Sequence, residues 1–512
     1  MLDSRNLRRF AFFLSLLLLL VTAMILFMMD KKQRCLEVEI LSEQEDAWLQ
    51  EYVYKDYSNY LLYNGQRAPV DVQTSTIYIA QDIGPDTKTE DLLGSLKIVS
   101  SRHRLAFAAD EAFRNLAGAV AGNHPFRLYV TDHSGEYMAY NVVFTTLPVL
   151  RIDGEFFDYD QKGREINQGS LCLWTPNDPD SGHYSVKESN VHWHIRGGSS
   201  ATVPKTPWRL SLKKKTGTNK NVSMVGMGSD DDWFLNPMCF DDTKLKEQLF
   251  IQLWNRRADQ VDWNVPMSKG EYVEVVMNGT YMGLFQLQRR IDGKFLALDT
   301  DDVLLKGGGG WDSRDPQTAY EIVHSHLSEE DTYGLMEEFF REEAPDFLDM
   351  DNFLDVNLFL QSASAVDNTN HANMFYLLKH TETGYRLHLL PWDTDMSWGV
   401  VWSDGFAYDF ADSLQKTALR REYGWMQEFH PDLNLQMARR WLQLRESPLT
   451  METVSAILEQ EQALLDASGA QKRDTNRWGL RYNGEDSLEN LYKSVDARLK
   501  YLDAYYSQFL HP

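Results

Sequence analysis

The strongest constraint on this chain is a β-ribbon that runs into a pair of acids. "NMFYLLKH", a "TETG" turn and "YRLHLLPWDTD", spanning Asn373 to Asp395, read as two apolar-rich strands folded back on one another. Pairing Lys379 with Tyr385 sets Asn373 opposite Pro391, close in space to Asp393. Asp367, just upstream in "VDNTNHANMFY", reaches the same open end. Asp393 and Asp395 flank a single threonine, and residues two apart share one face of a strand. Like charges so placed among tryptophans repel, and desolvation raises the cost. A hard cation such as Mg²⁺ removes the conflict, because clustered oxygens are the donors it takes. The plainer readings are a solvated Asp-x-Asp, a turn asparagine at Asn373 and ordinary polar histidines at His371 and His388. Convergence of Asp367, Asn373, Asp393 and Asp395 on one ribbon end favours the metal.

The rest of the chain gives this ribbon a setting. "EYVEVVMNGTYMGLFQLQ" places Asn278-Gly279 between two β-rich runs, the strongest short-range hairpin signal. "TPWRLSLKKK" alternates Trp208, Leu210 and Leu212 with polar residues, as a half-buried strand does. Later segments such as "MDNFLDVNLFLQSASA" and "SLENLYKSVDARLKYLDAYYSQF" carry apolar residues at helical spacing. Strands first and helices later imply an α+β domain over 147–512. Residues 35–146 read as a small mixed domain, with strands at "STIYIAQ" and "FRLYVTD" and a helix in "DEAFRNLAGAVAG". Residues 1–34 read as a membrane anchor. The uncharged run Phe10 to Met29, flanked by Arg8-Arg9 and Lys31-Lys32, forms a helix about 30 Å long and lacks a cleavage pattern. The expected location is a single-pass membrane protein with its large domain outside the cell.

A net charge of −24 argues against nucleic acid as a partner and suits basic protein partners, although acidity can serve solubility alone. Cys35, Cys172 and Cys239 allow at most one disulfide and show no metal spacing.

"HIRGGSSATVPKTPWRLSLKKK", "VEVVMNGTYMGLFQLQRRID", "VDNTNHANMFYLL" and "PWDTDMSWG", in that order, resemble the motifs of the spore coat protein H (CotH) kinase-like family. That family is an atypical, secreted or surface branch of the protein-kinase-like fold. The resemblance implies a two-lobed domain that uses ATP and Mg²⁺ to phosphorylate Ser or Thr of a protein, and the acidic charge makes a basic, Ser-containing one the expected substrate. Phosphoryl transfer needs chiefly metal-held phosphates, cations on the triphosphate and a carboxylate near the acceptor hydroxyl. By resemblance Asp367 is that carboxylate, and Asn373 and Asp393 hold Mg²⁺ with Asp395 as a second ligand. Lys205 contacts the phosphates, and Arg196 with Gly197, Gly198, Ser199 and Ser200 shapes the nucleotide pocket. Lys306, before the flexible "GGGG" run, falls where the family often has a lysine.

One departure stands out. The family hairpin commonly carries a Glu two residues before its Ile-Asp, where this chain has Arg289. If that Glu orients a lysine or a metal, the exchange reverses the local charge. A binding or assembly protein that keeps the fold without the reaction is therefore the chief alternative. A two-metal phosphohydrolase drawing on His371 and His388 is a third.

Overall fold

The computed structural model describes residues 39–40, 53–54 and 61–510, apart from 90–91, 93–95, 100–102, 133–135, 258–260, 262–264, 309–314, 340–346, 369–372, 404 and 416–425. The run Phe10–Met29, Cys35, His371 and the last two glycines of the 307–310 run lie outside the described residues. Among the described residues no helix is long and apolar enough to cross a membrane.

The fold is mixed α+β, built around a barrel. Its strands are β1 (Val149–Tyr159), β2 (Glu165–Asp178), β3 (His183–Ile195), β4 (Trp208–Lys213), β5 (Asp232–Asn236), β6 (Gly270–Met277) and β7 (Thr280–Arg289). They close in the order β1-β2-β3-β4-β5-β7-β6. Alternation drives closure: Leu210 and Leu212 point inward with Trp193, Trp233, Val273 and Phe285, and their polar neighbours point out. The β6–β7 hairpin turns at Asn278 (φ +48°) and Gly279 (φ +69°), the left-handed pair that the Asn-Gly signal foretold.

A second sheet holds β8 (Val303–Gly307), β9 (Tyr320–His324), β10 (Met374–Thr381) and β11 (Gly384–Pro391), in the order β9-β8-β10-β11. It shares one large core with helices α1 (Lys246–Arg256), α2 (Met350–Ala363), α3 (Leu433–Glu446), α4 (Met451–Ser468) and α6 (Leu488–Ser507). α2 lies on β11, where the Asn352 amide donates to the Leu389 carbonyl at 3.0 Å.

The β10–β11 register differs by one residue from the expected one. Lys379 faces Arg386 and Met374 faces Pro391, because Thr381 pairs with Gly384 and leaves only Glu382 and Thr383 in the turn. Asn373 therefore meets Trp392, whose N–H donates to the Asn373 carbonyl at 2.9 Å.

Residues 61–145 contribute strands of a seven-stranded sheet, including Thr76–Ala80, Phe126–Asp132 and Glu136–Thr145. The expected helix splits into a 3-10 turn, Glu111–Arg114, and a short helix, Leu116–Ala121, because Asn115 caps a fresh start. Their core runs on into the barrel through Val149, Trp174, Val276 and Tyr281. Tyr78 stacks on Tyr281 with ring centres 4.1 Å apart.

Helix α5 (Ala470–Trp478) pins the barrel from outside. Arg473 grips buried Glu274 with two bonds of 2.8 and 2.6 Å and also donates to Asn123 at 2.9 Å. Gly283 (φ +98°) admits this helix, since a Cβ there would lie 2.3 Å from the Asp474 carboxylate. Removing one partner of a buried, bidentate pair strands the other charge. Arg473→Ala is expected to lower unfolding free energy by roughly 3–5 kcal/mol in urea titration, whereas Arg114→Ala, an exposed surface pair, should change it by under about 1 kcal/mol.

Candidate functional site

A cleft of about 530 Å³ opens between the outer wall of the barrel and the second sheet. The second sheet supplies the acids. α2 stops at Ser364 (φ +51°), and a 3-10 turn, Val366–Asn368, follows. Buried Asn368 ties that turn to the ribbon end, donating to the Asn373 carbonyl at 2.9 Å and the Trp392 carbonyl at 2.8 Å. Asp367 is thereby held against Asn373, whose amide nitrogen donates to its carboxylate at 2.6 Å.

Strand β11 ends at Pro391, and Asp393 takes a left-handed conformation (φ +59°). The two aspartates therefore do not share a strand face, as the Asp-x-Asp spacing suggested. Asp393 is half-buried in the cleft wall and Asp395 is buried deeper. The segment beyond them is fixed by Trp398, whose main-chain and indole N–H groups donate to the Ala363 and Ser362 carbonyls at 2.8 and 3.0 Å.

The repulsion inferred from the sequence is present. Burial and then Asp393 push the Asp367 carboxyl up to about 6, against the Asn373 hydrogen bond. Asp395 is held well above the carboxylate range by burial, then by Asp393, Glu247, Asp241 and Asp367.

The barrel supplies one cation and the second sheet another. Arg196, Gly197, Gly198 and Ser200 line the cleft, and Ser199 opens the short turn Ser199–Thr202. The Arg196 guanidinium lies 4.3 Å from the Phe234 ring centre and 5.4 Å from that of Trp392. Lys306 on β8 faces it from the other wall, 5.8 Å from the Phe375 ring and 5.9 Å from the Trp392 ring. Burial and then Arg196 lower the Lys306 ammonium to about 8, with Asp393 opposing. Among the described residues, neither cation has a carboxylate within 4.0 Å.

Lys205 is elsewhere. Its ammonium is buried, paired with Asp474 at 2.6 Å and bonded to the Leu284 carbonyl, so it fastens α5 to the barrel and lines no part of the cleft. The lysine that lines the cleft is Lys306. His388 also lies outside the cleft, 3.9 Å from Asp349.

Two further groups were not foreseen. Glu247 on α1 is buried beneath the cleft, bonded by the Asn236 amide and, at 3.2 Å, by Gln288. Burial and then Asp393 push it up to about 8, with Arg196 pulling the other way. Its sequence context, "KEQLF", gives no sign of this, since an acid in a first helical turn is ordinary. Asn368 stands beside Asp367 but resembles any turn residue.

Residues 193–502 match the family model described as CotH kinase protein. The chain belongs to that family. No curated protein matches it. The family match begins at Trp193 within β3, so β1 and β2 precede it. In this CotH family member the Arg289 exchange does not reach the cleft. Arg289 pairs with buried Asp230 at 2.9 Å on the barrel's flank, and Glu247 is the glutamate beneath the site.

Among the described residues no group of three His, Cys, Asp or Glu side chains is placed to enclose an ion. The oxygens of Asn373 and Asp393, with Asp395 behind, suit Mg²⁺ of the kind that keeps waters and phosphates as its other ligands.

With its folded-state carboxyl at about 6, above an unfolded value near 3.8, Asp367 opposes folding increasingly as pH rises through that interval. In chelator, Asp367→Asn should stabilise the protein by about 2–3 kcal/mol at pH 8 and by almost nothing near pH 4. Denaturant titrations at both pH values check this, and a pH-independent difference would contradict it.

Proposed function

We propose that this protein is a membrane-anchored kinase that transfers the γ-phosphoryl of ATP to Ser or Thr of a protein. One observation carries the reading: Arg196 from the barrel and Lys306 from the second sheet project into a cleft shared with acids that repel one another, and among the described residues neither has a carboxylate within 4.0 Å. Cations left unpaired in a partly buried cleft are costly unless an anion joins them, and a triphosphate is an anion of the right length and charge. On this reading the barrel and the second sheet are the two lobes of an atypical kinase-like domain over 147–512. Residues 35–146 are an accessory domain, and the anchor in 1–34 leaves both outside the cell.

Each residue then has a task. Arg196, the Gly197-Gly198-Ser199-Ser200 turn and Lys306 hold the phosphates, while Glu247 fixes the wall behind them. Asn373 and Asp393, with Asp395, would hold Mg²⁺, which neutralises phosphate charge when bound. Asp367 faces the acceptor hydroxyl and takes its proton as the oxygen bonds to the γ-phosphorus and the bond to the β-phosphate oxygen breaks, releasing ADP. A carboxyl near 6 remains ionised at neutral pH yet accepts a proton more readily than an ordinary aspartate. The binding-only alternative leaned on Arg289, which points away from the cleft. The phosphohydrolase alternative lacks His388 at the site.

Incubating the full chain with labelled ATP and a serine-rich basic protein tests the reaction class. Transfer should drop by roughly 10²–10⁴-fold in Asp367→Asn and disappear in Asp393→Ala, with folding retained. Nucleotide binding without transfer in the wild type would favour the alternative.

Lys306 adds a pH signature. Its free ammonium titrates near 8 and bound phosphate would hold the proton. ATP affinity by calorimetry should therefore be flat just below pH 8 and fall by up to about tenfold per unit above it. Lys306→Arg should abolish the fall.

A further inference from the structure

The β1–β2 arm carries an edge that the barrel does not use. β1 pairs with β6 only through Val149–Ile152, after which its outer side meets no described strand. The Asn278 side chain accepts the Gly154 N–H at 2.8 Å and marks the end of pairing. From Gly154 to Tyr159 every residue is exposed, although β2 still pairs with the inner side as far as Tyr159. An open edge with unpaired N–H and C=O groups is a template for another strand. Proteins usually blunt such edges with lysine, proline or a covering loop. Here the edge carries Phe156, Phe157 and Tyr159, which are 50%, 48% and 58% exposed. Its one irregularity is a bulge between Phe156 and Asp158.

Charge and direction narrow the occupant. Glu155 and Asp158 stand on this edge without a cationic partner among the described residues, so the strip is acidic as well as aromatic. Phe157 packs on His192, 5.1 Å between ring centres, and His194, on the same face of β3, lines the cleft. The strand then runs directly into the hairpin tip, whose Lys162 and Arg164 form part of the cleft lining. A peptide laid along the edge is thus led toward Asp367. This arm precedes residue 193, so it lies outside the family match.

We propose that the β1 edge from Gly154 to Tyr159 docks an extended, basic segment of the protein substrate as an added strand, alternating apolar and Lys/Arg residues, which brings the following Ser or Thr to the cleft. The delivery rests on the kinase reading above; the docking does not.

The test is fluorescence anisotropy on the full chain, without nucleotide, using a labelled peptide that alternates lysine and valine around one serine. Two further forms carry N-methyl groups on its odd or its even amides, and a fourth replaces lysine by glutamate. The parent peptide should bind. One N-methyl register and the glutamate form should each weaken binding at least tenfold, as should the Phe156→Ser/Phe157→Ser double variant at unchanged melting temperature. Absence of binding, or equal binding by all peptides or by the double variant, overturns the proposal. So does concentration-dependent dimerisation that the double variant abolishes, which would assign the edge to a second copy. Asp367→Asn should keep the peptide affinity. Docking without phosphate transfer would sink the kinase reading alone, and transfer indifferent to the double variant would sink the docking alone.

Discussion

Charges held apart without neutralisation govern this molecule. Asp367, Asp393 and Asp395 crowd one wall of a cleft, and burial and then Asp393 push the Asp367 and Asp395 carboxyls upward. Arg196 reaches in from the barrel and Lys306 from β8 beside the acids, and both lie against aromatic rings, with no carboxylate within 4.0 Å among the described residues. A fold that needed only stability would let these groups meet, since bringing opposite charges together in a partly dry site lowers the energy of both. Keeping them separate makes sense when something both cationic and anionic is to lie between, and a metal-bound nucleotide is such a thing.

The architecture serves that separation. Asn368 sews the Asp367 turn to the ribbon end, and Trp398 anchors the segment after Asp395 to the end of α2. Glu247 is fixed by Asn236 and Gln288, so the barrel wall behind Arg196 is rigid as well. Farther off, Arg473 and Lys205 clamp α5 onto β6 and β7 through Glu274 and Asp474. These outer pairs are closed among themselves, whereas Arg196 and Lys306 in the cleft have no carboxylate within 4.0 Å among the described residues. The contrast separates scaffold from site.

Much of this was legible in the sequence. The Asn278-Gly279 hairpin, the alternation at Trp208–Leu212 and the acidic ribbon end follow from local patterns of turn chemistry and period. A register one residue off did little harm, because Asn373 and the acids both sit where the ribbon opens, and a slip moves neither away from that end. Lysine was harder. Lys205 precedes a barrel strand and Lys306 sits on β8 of the second sheet, and only tertiary packing turns one toward Asp474 and the other into the cleft. Arg289 looked like an intruder until Asp230, far away in "GSDDDW", appeared as its partner. Glu247 left no trace, since its role depends on which neighbours tertiary packing brings to one helical turn.

The central claim is that a metal-bound triphosphate bridges the two walls. A crystal structure of the protein with Mn²⁺ and a non-hydrolysable ATP analogue tests it most directly, because anomalous scattering locates the metal independently of the phosphates. The account predicts a manganese peak about 2.2 Å from oxygens of Asn373 and Asp393, with phosphate oxygens on Arg196 and Lys306. A nucleotide bound elsewhere, or phosphates in the cleft with the metal peak away from Asn373 and Asp393, would contradict it.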